Sequence, residues 1–320
     1  MKRKWSVLFP AIAACISLAG CDFNIFGGKT KIKIDDPFYA GYDYTKTGMK
    51  LQQELQKHLW AKHVKFIAYQ DVNKYYGKTS DRNSIEAVED GSGYNEYFYT
   101  GKVATGYGTR EHVWPCAQSD QMWAHNGKEN PNIHNVDYEY YMGAGSDLYH
   151  IRTCTNSVNT ARGDSRFTDF DDSTSVAYEK RDTVTEYGDT GPYKLKLQGY
   201  EGTATSPKYA NFAEPADNVK GDIARIILYV YVHYGNKNQE FDGQVKSGSL
   251  VYKYNEMIGD LVLTSVMGYK TNKRCQEVLQ EWNKMDPPSE VEKLRNNTVQ
   301  RIQGNRNPFV DYPELVDNLF

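Results

Sequence analysis

The chain has 320 residues, with 38 Lys and Arg against 41 Asp and Glu, a formal net charge of −3. That length suffices for one large domain or two small ones with a sizeable core. The balance argues against a uniformly basic nucleic-acid binder, yet leaves room for a local basic groove in an acidic molecule.

The first residues read as an export signal. Lys2, Arg3 and Lys4 precede an apolar run from Trp5 to Leu18, which is too short to span a membrane comfortably. Leu18-Ala19-Gly20-Cys21 then resembles a bacterial lipobox, which predicts a signal peptide over residues 1–20 and a lipid on Cys21 that ties the protein to a membrane. An ordinary cleaved signal is the alternative. Without the three leading cations the basic count drops to 35 against 41 acids, a net charge of −6. Residues 21–45 are polar and aperiodic, with Gly27-Gly28, and are expected to form the anchor and tether. A single domain is expected over 46–320.

Met49, Leu51, Leu55 and Leu59 give the period of an amphipathic helix ending near His63. Val64 to Tyr69 reads as extended, 78–95 as loop, and Tyr94 to Val103 as a strand. Arg110-Glu111-His112-Val113-Trp114-Pro115 follows, with Pro115 ending any ladder. The polar segment 118–146, broken by Asn-Gly, Asn-Pro and Gly-Ala-Gly, is predicted to be a long surface loop. Asp147 to Arg152 returns to extended alternation, and Asn156 to Arg162 opens a short helix. Short strands are expected at 174–178 and 193–198, then helices over Val219 to Tyr234, Leu250 to Met267, Thr271 to Met285, and from Ser289 to Gly304. Strands first and helices after, without βαβ alternation, predict an α+β fold.

Of the five cysteines, Cys15 leaves with the signal and Cys21 takes the lipid. A disulfide between Cys116 and Cys154 and three separate thiols both fit what remains, and no Cys-x-x-Cys pair points to zinc. Glu111 beside His112 is a weak signal alone, because neighbours on a regular strand face opposite ways. Asn159 and Arg162, at i and i+3, share a helix face. His150 reads as a structural histidine, and His125 and His134 lack ligand spacing. Gly-rich nucleotide loops, Gly-x-Ser-x-Gly elbows and His-Glu-x-x-His helices are absent from the sequence.

Four collinear stretches resemble the endonuclease I family of secreted and periplasmic bacterial nucleases. They are Arg110 to Pro115; Asp147 to Arg152 with Val158 to Gly163; Glu214-Pro215 with Lys220 to Arg225; and Trp282 to Asp286-Pro287 leading to Gln303-Gly304-Asn305-Arg306-Asn307-Pro308-Phe309 and Tyr312-Pro313-Glu314. The resemblance runs from about residue 43 to 316. It implies a ββα-metal (His-Me finger) core at about 100–165, embedded in a mixed domain with a helical part at about 217–304.

By that resemblance, His112 is the general base that deprotonates water, and Glu111 and Asn159 hold one Mg²⁺, with Mn²⁺ or Ca²⁺ as substitutes. Arg162 orients Glu111 or a phosphate. The expected reaction is hydrolysis of DNA, and of RNA as a second substrate, with little sequence preference, leaving 5′-phosphate and 3′-hydroxyl ends, by a monomer. Two departures from the family stand out. Tyr149 occupies a position where histidine is common, and no arginine lies between 113 and 151 to bind the product phosphate. Lys128 and Arg152 are the candidates to replace it. Lys220, Arg225, Lys284, Arg295, Arg301 and Arg306 are candidates for a basic wall against nucleic acid. The rival expectation is a non-catalytic surface lipoprotein that binds nucleic acid or polysaccharide; retained binding without cleavage would distinguish it.

Overall fold

The computed structural model describes residues 32–75, 96–104, 108–116, 143–188, 190–199, 211–235, 244–247, 250–253, 259 and 261–320. The expected signal peptide, Cys21, the loops around 78–95 and 118–142, and with them Lys128, His125 and His134, lie outside the described residues.

The fold is α+β. Its main elements are α1 (Met49–Lys62), β1 (Thr109–His112), β2 (Ile151–Cys154), α2 (Asn156–Arg162), β3 (Arg166–Phe167), β4 (Val184–Tyr187), β5 (Leu195–Gln198), β6 (Phe212–Glu214), α3 (Asp217–Tyr234), β7 (Gln244–Ser247), β8 (Leu250–Lys253), α4 (Asn272–Met285) and α5 (Glu290–Gln303). Among the described residues the strands form three small sheets: the pair β1-β2, the order β3-β6-β5-β4, and the pair β7-β8. β1 and β2 run antiparallel, with Thr109 opposite Cys154 and His112 opposite Ile151.

The core is centred on α3. Ile223, Ile227, Leu228 and Val230 are all buried, as are Ala224 and Tyr229, so this helix is covered on nearly every side and belongs inside. It packs mainly on α4 and α1. Gly221 lets α4 approach, since a Cβ there would run into the carbonyl oxygen of Asp286. On α5, Ser289 caps the start by accepting from the Glu292 backbone N–H at 3.1 Å, and Gly304 ends it at φ +96°. No helix among the described residues is long and apolar enough to cross a membrane.

Several expectations are corrected. The packed body starts before residue 45: Ile32, Tyr39 and Tyr44 are buried, and Tyr39 donates its hydroxyl to Asp311. The aromatics of this arm pack around His58 of α1, which is why a stretch without period is nonetheless ordered. Residues 64–68 are extended, as expected, and join no sheet, because the N–H groups of Val64 and Lys65 are taken by the Gln303 carbonyl at 2.9 and 3.2 Å. The segment near 96–103 folds back on itself, with Tyr97 N–H donating to the Lys102 carbonyl. At 174–178 there is only a bridge from Ser175 to Tyr269. Leu250 to Met267 is not one helix: its β-branched and aromatic start, Val251-Tyr252, pairs with β7, and among the described residues of this run Leu263–Val266 are the helical ones.

Cys116, Cys154 and Cys275 are free thiols. Cys154 sits opposite Thr109 at one end of the β1-β2 ladder, whereas Cys116 lies beyond His112 at the other, so the ladder holds them apart.

Gly221→Ala is expected to destabilise the fold by about 2–3 kcal/mol through forced separation of α3 and α4. The midpoint of urea unfolding measures it; an unchanged midpoint would show that the helices part at no expense.

Candidate active site

β1 ends at His112 and the chain bends at Val113 and Trp114, so the neighbours Glu111 and His112 can serve one site. Both line a cavity of about 380 Å³ with Pro115, Cys116, Asn159, Gly163 and Asp164.

Glu111 is 1% exposed, and its Oε1 accepts from the Tyr99 hydroxyl at 2.6 Å and from Arg162 Nη1 at 3.0 Å. Both partners sit on Oε1, which leaves Oε2 as the oxygen for the cavity. Burial pushes the Glu111 carboxyl above its ordinary range, while Arg162 and then the Tyr99 hydroxyl pull it down. Arg162, equally buried, also donates to the carbonyls of His112 at 2.9 Å and Val113 at 2.8 Å. Its guanidinium lies 4.5 Å over the Phe167 ring. Arg162 therefore holds Glu111 and the strand end.

α2 follows β2 directly, capped by Thr155, whose hydroxyl accepts from Val158 N–H at 3.2 Å. One turn in, Asn159 Nδ2 donates to the Arg110 carbonyl at 3.2 Å, which turns its Oδ1 to the cavity wall it shares with Glu111.

The orientation of His112 comes from the turn Ala144–Ser146. Nε2 lies 2.8 Å from the Gly145 carbonyl, which can only accept, so the proton is on Nε2 and the basic lone pair on Nδ1. Burial lowers the ring to about 4, with Arg110 and Arg162 adding to the effect against the Gly145 hydrogen bond, so the imidazole is neutral at pH 7. The Tyr69 ring lies nearly parallel at 5.7 Å. His150 fixes the same turn: Nδ1 donates to the Ala144 carbonyl at 2.7 Å and Nε2 accepts from Trp114 N–H at 2.9 Å. It is structural, as its sequence context suggested.

Among the described residues, the other expected cations do not line this cavity. Arg152 is buried, lies 4.8 Å over Phe98, and lines a small internal void with Arg295 and Glu292 rather than the cavity. Arg225 is fully buried against Glu292 and Asp222. Arg295 donates to the carbonyls of Leu148 and Ile151. Lys220 is held by Asp169 at 2.5 Å and Asp217 at 2.8 Å, and Arg306 by Asp311. Lys220, Arg225, Arg295 and Arg306 form no exposed basic wall here, because each is paired with an acid or donates to backbone carbonyls inside the fold. Lys284, paired with Asp317, and Arg301 keep exposed positions.

Tyr99, Tyr69, Gly145 and Asp164 were missed from sequence. In the sequence Gly143-Ala144-Gly145 reads only as a loop break, and nothing in the spacing of Tyr99 connects it with Glu111. Among the described residues one further cluster could hold a metal: His63, Asp147 and His233, with ligand atoms within 4.8 Å of one another. Most of its polar atoms are engaged, although the buried Nδ1 of His233 has no hydrogen-bond partner among the described residues. Asp147 accepts from Tyr229, Tyr234, Gln303 and the Tyr149 N–H, and His63 Nδ1 meets His233 Nε2 at 2.9 Å. Tyr149, at the position where the family commonly has histidine, donates to the carbonyls of Asn296 and Asn305 at 3.1 and 2.9 Å.

Residues 45–314 match the family model described as Endonuclease I. The extracellular ribonuclease of Bacillus subtilis (strain 168) is 28% identical over 89% of this chain and 78% of its own length. That of Bacillus amyloliquefaciens is 31% identical over 66% of this chain, which spans only 53% of that relative. Endonuclease-1 of Buchnera aphidicola subsp. Baizongia pistaciae (strain Bp) is 24% identical over 62% of this chain and 60% of its own length. With the matched span covering Glu111, His112, Asn159 and the C-terminal segment alike, the chain belongs to the Endonuclease I family.

Proposed function

We propose that this protein is a metal-dependent endonuclease that hydrolyses phosphodiester bonds of DNA and RNA with little sequence preference, through a His-Me finger formed by β1, β2 and α2. One observation carries the reading. A buried carboxylate oxygen, an amide oxygen and a neutral imidazole nitrogen line one cavity, each fixed by hydrogen bonds on its far side. The names of the relatives, ribonuclease and endonuclease, support a nucleic-acid substrate.

The donor set fits a hard divalent cation. Glu111 Oε2 and Asn159 Oδ1 are both oxygen, and a carboxylate whose burial pushes its pKa up is short of positive charge. These two residues would hold Mg²⁺, or Mn²⁺ or Ca²⁺ in its place; when bound it would supply Lewis-acid stabilisation of the phosphoryl oxygens and the leaving 3′ oxygen. His112 Nδ1 takes the proton of the attacking water, while Nε2 stays on the Gly145 carbonyl so that the ring cannot turn away. Attack at phosphorus with loss of the 3′ oxygen leaves 5′-phosphate and 3′-hydroxyl ends. Arg162 pulls the Glu111 carboxyl down against the effect of burial and keeps it aimed. Cleavage needs no base contact, so sequence preference is expected to be weak.

We place the protein outside the cytoplasm as a monomer, held to a membrane through a lipid on Cys21. The relatives named extracellular support export, and the lipobox-like run supports the anchor.

Three outcomes test this. Residues 22–320 should nick supercoiled plasmid with Mg²⁺ and not with EDTA, and His112→Ala should lower the rate by about 10²–10⁴-fold; nicking that persists in His112→Ala removes the base assignment. Arg162→Ala leaves Glu111 buried and unpaired, so chemical denaturation should show a loss of about 3–5 kcal/mol; a loss below about 1 kcal/mol would mean that water replaces the guanidinium. Cys21→Ala should move the exported protein from the membrane to the soluble fraction, and an unchanged distribution would exclude the lipid anchor.

A further inference from the structure

Arg110 differs from the arginines around it. Arg152, Arg162, Arg225 and Arg295 are buried, whereas Arg110 is only half-buried. It has one side-chain hydrogen bond among the described residues, from Nη1 to the Tyr69 carbonyl at 2.8 Å. The guanidinium lies 3.9 Å over the Tyr69 ring, and that ring stacks on the His112 imidazole. Glu111, next in the chain, is held by Arg162 and Tyr99, and Asp71, two residues beyond Tyr69, is engaged by Lys74 at 2.6 Å. Arg110 is thus a charged plane clamped at one Nη and across one face, with no carboxylate partner among the described residues.

A clamped guanidinium with its Nε–Nη2 edge uncommitted presents two parallel N–H donors, the geometry that grips two oxygens of a phosphate. Arg110 and His112 are two residues apart on β1, so they leave the strand on the same side, roughly 6.6 Å apart. That separation is comparable with the step between successive phosphates of a nucleic-acid chain. Arg110 does not line the cavity that Glu111, His112 and Asn159 share. Its reach is therefore to a neighbouring phosphate and not to the one being cut.

We propose that the Nε–Nη2 edge of Arg110, held by Tyr69, binds the backbone phosphate next to the scissile one and sets the register of the nucleic-acid strand across the site. This rests on the nuclease reading above. It assigns the chain a phosphate-binding arginine ahead of the catalytic pair, where the long loop supplies none.

The test compares wild type, Arg110→Ala and Arg110→Lys on two substrates: a short single-stranded oligonucleotide and a dinucleoside monophosphate, which has one phosphodiester and no neighbour. On the oligonucleotide, Arg110→Ala is expected to lower kcat/KM about tenfold, chiefly through KM, and Arg110→Lys less, since lysine keeps the charge and loses the fork. On the dinucleotide all three proteins should agree within about twofold. Oligonucleotide binding measured in EDTA should show a log–log salt slope shallower by about 0.7 in Arg110→Ala. Equal losses on both substrates, or an unchanged salt slope, would overturn the assignment. If Arg110→Ala melts early, Arg110→Lys alone carries the comparison. If wild type cuts neither substrate, the nuclease reading fails, and the salt slope still decides whether Arg110 holds a phosphate.

Discussion

A carboxylate taken out of water is the constraint from which the site follows. Glu111 is almost completely buried, and removing it from solvent is unfavourable by several kcal/mol unless an opposite charge and hydrogen bonds compensate. Arg162 provides that compensation, and it does so from the last turn of α2. The same guanidinium holds the His112 and Val113 carbonyls, where β1 stops pairing and its backbone groups need partners. Asn159, one turn earlier, holds the Arg110 carbonyl. α2 thus lies along β1 as a row of donors against acceptors. Strand, strand and helix are one unit because breaking any contact leaves a buried charge or carbonyl unsatisfied.

The helical part serves this unit from behind. Its grip is on residues 147–151, between the turn that orients His112 and the strand that pairs with Glu111. Asp147 is held by Tyr229, Tyr234 and Gln303, the Leu148 N–H by Gln303 Oε1 at 2.7 Å, and the Leu148 and Ile151 carbonyls by Arg295. Asn305 donates to Tyr229 at 2.7 Å and Asn307 to the Arg225 carbonyl at 3.1 Å. The polar C-terminal segment is therefore scaffold. Its amides reach inward to the Tyr229 hydroxyl and the Arg225 carbonyl of α3, while Gln303 holds the 147–148 turn.

What the sequence reveals is uneven, and the unevenness has a physical pattern. Glu111, His112, Asn159 and Arg162 stand out through the family resemblance, since adjacency on a strand and an i, i+3 pair are weak signals alone; α1, α3 and α4 are legible from their apolar periods, and α5 from its capping Ser289 and terminal Gly304. Arg225, Arg295 and Lys220 mislead because a charged side chain is written the same way whether it faces water or an internal acid; only the tertiary partner decides. Tyr99 and Gly145 are invisible for the complementary reason, since their contribution is one hydroxyl or one carbonyl placed by distant packing. The run from Leu250 fails as a helix because apolar content without a clear period does not separate a strand from a helix.

The same internal use of cations bears on how an acidic chain would hold a polyanion. Arginines 152, 162, 225 and 295 are consumed by the fold, so their charge contributes little to the field outside it. On the nuclease reading, attraction then has to be local. It would come from a cation between Glu111 and Asn159, and from the few side chains such as Arg110 whose donors still face solvent. Asp164, exposed at the rim of the cavity, works against a phosphate held without such a cation. A site built this way couples substrate capture to metal loading, because the group that activates the phosphate also supplies much of the positive charge that draws it in. The overall negative balance of the chain is then compatible with cutting nucleic acid, since the charge that matters sits within a few ångströms of His112 and not in the sum over the sequence.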